Sequence, residues 1–425
     1  MKAVTALIVL LSYSPVWSEV RPVSPPDRLS TTQVRAGLAE LTLAQITSLV
    51  LQHNHVLMSA KSQVEGARAG INTASALGNP KVEWHQGQGQ PATMNRQPTH
   101  GWSVAQPIEN PWARRARIEV AESGLMISGK GLSVTQNELV AQVHGKAYEA
   151  LLYQSEAESA SETLALLEQV RERIRVRVQT GEAPRYEMIK ADAEVIHARE
   201  RQQTATLMAE QALLELNRMA AGRLPARWKL AESFHAMPAV PELTDLQQLA
   251  QKQNPELNSL TWELERAQAQ LRLAKAGRWP GVELRYSDTR EPDLRQNTWG
   301  VVVQVPLLDQ RAGPVAEAQA EVERIRLRLE GRTHELSQQI QLAWRSLEIT
   351  RLRMEALSQG VIQEAEAALR VAQAAYRFGE RGILDVLDAQ RVLRGARSDL
   401  LQARFQWHAA RISLDQLTGR FAIAS

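Results

Sequence analysis

The sequence predicts an α+β membrane protein made of two internal repeats, in which a barrel of long α-helical hairpins continues into a β-barrel shared by several copies. The first observation is the duplication, since residues 41–222 and 243–419 pass through the same motifs at an offset of about 200 residues. The second is a proline-free stretch in each repeat that is long enough for a helix of about 100 Å. The third is a pair of short segments in each repeat in which apolar and polar residues alternate, as in β-strands.

The duplication places equivalent motifs at the same point of each repeat. Asn79-Pro80-Lys81-Val82-Glu83 corresponds to Trp279-Pro280-Gly281-Val282-Glu283, and Thr180-Gly181-Glu182 corresponds to Phe378-Gly379-Glu380. So long a repeat indicates one architecture with two equivalent halves, residues 19–222 and 223–425, arranged pseudo-symmetrically around an axis.

The composition excludes several classes of protein. The chain has 50 basic and 47 acidic residues and a net charge of +3, and no basic block indicates binding to nucleic acid. It has no cysteine, which excludes disulfides, thiolate metal sites and a lipidated N-terminal cysteine. His53 and His55 would point to different faces of one helix, and no enzyme motif is present. We therefore expect no enzyme activity, no cofactor and no metal site held by the protein.

The N-terminus predicts export. Lys2 precedes an apolar run, Ala3 to Leu11, and Val16-Trp17-Ser18 offers acceptable residues for cleavage. Residues 1–18 therefore read as a secretory signal peptide, the alternative being a buried N-terminal helix. No later stretch approaches the roughly 20 apolar residues of a spanning helix, so we expect no inner-membrane anchor.

The first repeat begins with a lead-in at residues 19–40, rich in Pro, Ser, Thr and Arg. Pro107 and Pro111 are expected to end its second strand. Composition and turn residues predict a helix over 41–77, strands over 82–86 and 102–106 around a loop over 87–99, a helix over 112–178, a turn over 181–184 and a helix over 185–219.

The second repeat predicts the same order. Pro314 is expected at the first position of its long helix, where a missing amide is tolerated. The predicted elements are a helix over 245–276, strands over 282–287 and 298–305 around a loop over 288–297, a helix over 314–378, a turn over 379–382 and a helix over 383–417.

Apolar residues recur at alternating steps of three and four along both long helices, which indicates helices packed side by side at a low angle. In the first helix this pattern runs from Leu139 to Val178, with Lys146 and Arg171 as exceptions. In the second helix the predicted seam is continuous apart from Thr350 and Glu364. It consists of Leu336, Ile340, Ala343, Leu347, Met354, Leu357, Val361, Ala368, Val371, Ala375 and Phe378.

The strands carry one apolar and one polar face. Val282, Leu284 and Tyr286 alternate with polar residues, as a transmembrane barrel with a watery lumen requires. Aromatic residues near the strand ends suit an interfacial girdle, although a small soluble sheet with a Trp core is the alternative.

Four strands per chain cannot close a barrel, which needs about eight, whereas three copies supply twelve.

At this point the residues resemble the TolC family of outer-membrane efflux ducts, over essentially all of the chain after residue 18. The segment from Tyr376 to Gln390 is similar to the family's periplasmic tip. Three other segments resemble the heavy-metal, CzcC-like branch of this family. They are Leu77-Gly78-Asn79-Pro80, Gln106-Pro107-Ile108-Glu109 and Arg114-Arg115-Ala116-Arg117-Ile118. Many relatives begin with a lipidated cysteine, which this chain lacks.

The resemblance implies a homotrimer with a β-barrel in outer-membrane lipid, a helical barrel across the periplasm and a mixed belt between them. Residues 19–40, 223–245 and the tail after Gly419 would form the belt. The chain would be the exit duct of a tripartite system, joined to a periplasmic adaptor and a proton-driven RND-type pump of the inner membrane. Heavy-metal cations are the expected cargo, and drugs or other organic compounds are the alternative.

The resemblance also assigns site residues. Tyr376 and Arg381 match positions that hold a closed gate, and Arg381 would bond to the neighbouring hairpin, with Glu187 as its partner. Asp385 and Asp388 are three apart and share a helix face. The resemblance places them at the constriction, while an ordinary solvated face is the alternative. The residues expected to contact the adaptor are those of the two tip turns: Gly181, Glu182, Pro184, Gly379, Glu380 and Gly382.

Two other classes of function remain open. A periplasmic coiled-coil adaptor or scaffold also has long hairpins, but usually one hairpin rather than two, and without paired amphipathic strands. A secreted hydrolase would need a nucleophile and a base, and the sequence offers no candidate pair.

Overall fold

The computed structural model describes residues 39–89, 97–291 and 294–422. The first repeat contains β1 (Ala39–Leu41), α1 (Leu43–His53), α2 (His55–Ser75), β2 (Lys81–Gly89), β3 (Gln97–Ile108), α3 (Pro111–Gln179) and α4 (Arg185–Met219). The second contains β4 (Trp228–Leu230), α5 (Leu243–Gln253), α6 (Pro255–Ala276), β5 (Gly281–Arg290), β6 (Arg295–Gln304), α7 (Ala312–Ala356), α8 (Ile362–Arg377) and α9 (Ile383–Leu417). The predicted α+β class and duplication are confirmed, whereas the predicted signal peptide lies outside the described residues.

The long helices pack pairwise. In the hairpins α3 packs on α4 and α8 on α9, and nearer the sheet α2 packs on α3 and α6 on α7. α3 also packs on α6 and α9 and so joins the two repeats.

Two predictions about proline were wrong. Pro111 opens α3 instead of ending the strand, because an amide at the first helical position would be unpaired anyway. The Asn110 side chain accepts the amide of Trp112 at 2.9 Å. β3 continues through Pro107 to Ile108. β2 pairs with β3 only as far as Ala105, so Pro107 has a neighbouring strand on one side, and its missing amide is tolerated as at a sheet edge.

The single helices predicted over 41–77 and 245–276 are each divided by an asparagine. The Asn54 side chain accepts the amide of Val56, and the Asn254 side chain accepts the amide of Glu256, both at 2.9 Å. Each side-chain amide also donates to the last turn of a hairpin helix, Asn54 to the carbonyl of Met219 at 3.1 Å and Asn254 to that of Leu417 at 2.8 Å. Each asparagine thus caps one helix and fixes the end of another.

The helix predicted over 314–378 also differs. It begins at Ala312, so that Pro314 lies in the first turn, where amides have no helical partner. A π-helical turn, Leu357–Val361, then separates α7 from α8. A π turn holds one more residue than an α turn, and it therefore changes the heptad phase by one.

The predicted continuous seam is consequently wrong beyond this turn. Before it, the buried positions of α7 include Leu347 and Met354, as predicted. After it, the buried positions are Ala365, Leu369 and Ala372, each one residue later than the extrapolated heptad. Three residues placed in the seam by the sequence pattern are exposed, Val361 at 47%, Val371 at 69% and Phe378 at 81%.

The four longer strands form one antiparallel sheet in the order β2-β3-β5-β6. The predicted alternation is confirmed, and Tyr286 pairs across to Trp299 with ring centroids 4.7 Å apart. The strands are longer than predicted: β5 and β6 extend to Arg290 and Arg295, into the predicted loop, and the carboxylate of Asp288 lies 2.8 Å from Arg295. None of the described helices is long and apolar enough to span a membrane.

A short parallel sheet of β1 and β4 joins the two repeats. The sequence did not predict it, because three residues are too few for an alternation to be visible. The buried Trp228 and Leu230 of β4 pack into a core with α1, α3 and the end of α4. β4 lies within residues 223–245, one of the segments predicted to form the belt, and residues 19–38 of that prediction lie outside the described residues.

We predict that Asn254→Ala lowers stability by about 1–3 kcal/mol, because one helix loses its cap and a buried carbonyl loses its donor. Thermal unfolding followed by far-UV circular dichroism measures the change. Gln251→Ala, at an exposed position of α5, is the matched control. An equal melting temperature in both variants would contradict the role of Asn254.

We also predict that stability falls as the pH falls below about 6.5. Burial lowers the pKa of His408 to about 4, although a hydrogen bond to the carbonyl of Phe234 opposes the shift. The ring is stacked on Tyr148 at 3.8 Å. The unfolded chain therefore binds a proton that the folded chain does not, which costs at most about 2 kcal/mol at pH 5.

Melting temperatures at pH 7.5 and pH 5 test this prediction. His408→Gln removes the titrating group and should show the smaller decrease on acidification. An identical decrease in both proteins would show that other groups cause it.

Candidate functional site

The candidate site lies at the hairpin tips, where α3 turns into α4 and α8 turns into α9. Gly181 and Gly379 have φ values of 80° and 74°, which favour glycine over residues with a Cβ. The amide of Glu182 donates to the carbonyl of Arg177 at 2.8 Å, and that of Glu380 donates to Ala375 at 2.9 Å. Both turns therefore close with the same glycine-centred hydrogen bonds, and both predicted turns are confirmed.

One apolar core holds the two hairpins together near their tips. Ile174 of α3, Val195 of α4 and Ile383 of α9 are buried in it, together with Leu369 of α8. Ala191, Ala198 and Ala372 allow close approach of the helices. The second hairpin thus packs against the first through small and aliphatic side chains.

A cleft of about 900 Å³ lies between the two turns. The guanidinium carbon of Arg177 lies 4.9 Å from the centre of the Tyr376 ring, a cation–π contact, and Nε of Arg177 lies 3.7 Å from Glu182. The Tyr376 hydroxyl and one carboxylate oxygen of Glu187 are buried and have no hydrogen-bond partner among the described residues. Two of the predicted gate residues therefore carry buried polar atoms that nothing within the described chain satisfies.

Within the described chain Arg381 forms a local ion pair, and its predicted bond to Glu187 of a neighbouring hairpin stays a prediction. Arg381 lies in the tip turn, and its guanidinium is 3.7 Å from Asp385 in the first turn of α9, with both side chains largely exposed. Glu187 lies instead in the first turn of α4, where free amides favour a carboxylate. Within the described chain, Arg381 therefore pairs next to its own position, whereas one carboxylate oxygen of Glu187 keeps no hydrogen-bond partner.

The ion pair that crosses between the hairpins belongs to Arg391. Its guanidinium lies 2.9 Å from Glu194 of α4 and 3.2 Å from Asp388 on its own helix. Sequence reasoning missed it, because nothing in the sequence shows which turn of α4 lies beside α9. The spacing of Asp388 and Arg391 was the only local signal.

Asp385 and Asp388 lie in the first turns of α9, and each has an arginine partner in its own chain. In the described part of the chain, no group of three or more His, Asp or Glu side chains could hold a metal ion.

Comparison with known proteins covers nearly the whole chain. The family model described as outer membrane efflux protein matches residues 46–222 and 246–420. The cobalt-zinc-cadmium resistance protein CzcC of Cupriavidus metallidurans is 24% identical over 391 residues, which cover 91% of this chain and 92% of that protein.

Solved structures show the same fold. The MtrE outer membrane channel of Neisseria gonorrhoeae in its open state matches with a TM-score of 0.76 and 18% identity, over 90% of this chain and 89% of that one. The outer membrane protein VceC of Vibrio cholerae matches with a TM-score of 0.74 and 16% identity, over 89% of this chain and 96% of that one.

We predict that Arg391→Ala loosens the contact between the hairpins. An exposed pair is worth at most about 1 kcal/mol, so amide exchange in the tip halves of α4 and α9 should rise by up to about fivefold. Hydrogen–deuterium exchange with mass spectrometry measures the change. Arg381→Ala is the matched control, because it removes only a local pair at the start of α9 and none between the hairpins. An equal or larger effect of Arg381→Ala would contradict the assignment.

Proposed function

This chain belongs to the outer membrane efflux protein family, and we propose that three copies of it form the outer-membrane exit duct of a tripartite system that expels heavy-metal cations. The duct would perform no chemistry of its own and need no cofactor. Residues 1–18 would be a signal peptide removed on export, as Lys2 and the apolar run after it suggest.

The observation that carries the proposal is a sheet with two open edges. β2 and β6 lie at the edges of the sheet, where their outer backbone amides and carbonyls have no neighbouring strand among the described residues. Such edges are not tolerated in lipid, and four strands are too few to close a barrel. Pairing β6 of one copy with β2 of the next is a head-to-tail contact, and in threefold symmetry it closes a ring of twelve strands.

The two faces of the sheet suit this position. Trp84, Trp299 and Val301 share one face and are between 61% and 80% exposed. Glu83 and Arg285 lie on the opposite face, as in a barrel with a polar lumen. Trp279 stacks on Trp112 at 5.6 Å near the helical end of the sheet, so that aromatic residues lie at both ends of an apolar band.

The helices place the tips far from the sheet. α3 has 69 residues, which is about 100 Å of helix. We propose that this length crosses the periplasm and that the tip turns dock on an adaptor attached to an RND-type pump. The contact residues would be Gly181, Glu182, Pro184, Gly379, Glu380 and Gly382.

Heavy-metal cargo is proposed because the CzcC relative bears the name of a cobalt, zinc and cadmium resistance protein. The pump would select the cargo, since the described part of this chain shows no cluster that could hold a metal. Organic compounds as cargo are the alternative. A periplasmic scaffold is disfavoured, because it would have no use for an exposed aromatic sheet.

We further propose that the duct rests closed at Tyr376, Glu187, Arg381, Asp385 and Asp388. Unpaired buried groups are costly, so the Tyr376 hydroxyl and the Glu187 carboxylate are expected to find partners on a neighbouring copy. Three copies would also bring six carboxylates of Asp385 and Asp388 around one constriction, which favours weak binding of cations.

Complementation tests the function. Cells that lack their own duct but contain the matching adaptor and pump should regain tolerance to cobalt, zinc or cadmium when this chain is expressed. Gly379→Val should abolish tolerance while trimers persist in the outer membrane, because a β-branched residue is strained at a φ of 74°. Gly379→Asn is the matched control and should retain tolerance. Restored tolerance to organic toxins alone would overturn the proposed cargo.

Single-channel recording in planar bilayers tests the gate. Arg381→Ala should raise the conductance, and the double variant Asp385→Ala, Asp388→Ala should reduce block by divalent cations added at the periplasmic side. Asp399→Ala, farther from the tip on α9, is the control for general loss of charge. Unchanged block in the double variant would mean that these aspartates are a solvated helix face.

A further inference from the structure

A cleft of about 520 Å³ lies between α3, α4 and α9, on the side of the Arg391–Glu194 ion pair that faces away from the tips. It runs along the three helices from Arg391 to Glu156 of α3 and Met208 of α4. Apart from Arg391, none of its charged side chains belongs to the site described above.

Two arginines that line this cleft have no acidic partner. Arg394 of α9 is half-buried and Arg201 of α4 is exposed, and within the described chain neither forms a salt bridge or a side-chain hydrogen bond. Burial lowers the pKa of Arg394, and the positive charge of Arg201 lowers it further. The two guanidinium groups, which come from different hairpins, therefore lie close enough to repel each other.

The neighbouring arginines are paired with acids on an adjacent helix. The guanidinium of Arg397 lies 2.9 Å from Glu366, and that of Arg199 lies 2.8 Å from Glu168. Arg391 is held by Glu194 and Asp388. The positive charges of Arg201 and Arg394 thus remain uncompensated on a surface where nearby arginines are compensated.

The two carboxylates in the cleft do not reach these arginines. The exposed Glu200 accepts a hydrogen bond from the hydroxyl of Thr204 at 3.1 Å. Glu156 lines the far end, about 10 Å along α3 from Thr163, and burial raises its pKa. The arginine end of the cleft therefore offers hydrogen-bond donors, and no carboxylate of the described chain takes them up.

These donors suit one class of ligand. A guanidinium presents a planar fork of N–H groups that matches two oxygens of a phosphate, sulfate or carboxylate. The hydroxyl of Ser398 also lines the cleft and forms no hydrogen bond within the described chain. We propose that Arg201 and Arg394 bind a small oxyanion with the size and charge of phosphate or sulfate. A dianion would neutralise both arginines and connect α4 of one hairpin to α9 of the other.

The position of the cleft gives the bound anion a role. Gly395 lines the cleft and follows Asp388 by seven residues, so both lie on the same face of α9. In the proposed duct, where Asp388 lies at the constriction, the cleft would open to the lumen. The anion would then cancel a positive charge that repels metal cations on their way out. This role rests on the proposed function, whereas the anion site itself does not.

Isothermal titration calorimetry with inorganic phosphate tests the site on the full chain in detergent, with sodium chloride of equal ionic strength as the blank. Arg394→Gln and Arg201→Gln should each weaken binding by at least about tenfold, because each removes a charge-assisted hydrogen bond. Arg397→Gln is the matched control. It removes an arginine one turn along α9 that is paired outside the cleft, and it should bind phosphate as the natural chain does.

Thermal unfolding separates binding from a structural role of Arg394. Phosphate should raise the melting temperature of the natural chain but not that of Arg394→Gln, since only a bound ligand stabilises. In chloride alone, Arg394→Gln should melt no lower than the natural chain, because the repulsion from Arg201 is gone.

Absent binding in the natural chain, or equal weakening in Arg397→Gln, would overturn the site. The mass of the same sample separates this inference from the proposed function. Trimers that bind no phosphate would overturn the site and leave the duct standing. Single chains that bind phosphate would retain the site and contradict the trimeric duct.

Discussion

The whole architecture depends on one constraint, that backbone hydrogen-bonding groups cannot be left open in lipid. Each repeat supplies two strands, and together they make a sheet of four with unpaired edges at β2 and β6. That sheet is too small to close and too apolar on one face to remain in water. In the proposed duct, assembly of several copies would complete the sheet, and the duplicated sequence would make each copy contribute two equivalent halves to the ring.

The long helices connect the sheet to the tips, and a few local features fix where these helices begin, end and turn. Asn54 and Asn254 each cap one helix and bond the end of another, which fixes the ends of the hairpin helices α4 and α9. Gly181 and Gly379 reverse the chain at the far end. The π turn shifts the buried positions of α8 by one residue relative to those of α7, so that both helices keep an apolar face toward the chain's own core. The ion pair near the tips depends on which turn of α4 lies close to which turn of α9.

Much of this fold was predictable, because its signals are local. The bounds of α4 and α9 match the prediction, since Pro184 and Gly382 precede them and Gly222 and Gly419 follow them. The π turn was not predicted. Val371 and Phe378 fit the heptad of the preceding helix, and only the burial of Leu369 shows that the phase has changed. The tip turns could be predicted from the positions of the glycines. The Arg391–Glu194 pair could not be predicted, because it depends on packing between segments that are distant in the sequence.

The mass of the assembly in detergent tests the central claim most directly. Native mass spectrometry of the protein extracted from the outer membrane should give three times the mass of the mature chain, with infrared spectra showing intact β-structure. A mass equal to one chain, with the strands still formed, would contradict the account, because a four-stranded sheet would then be stable with its edges open.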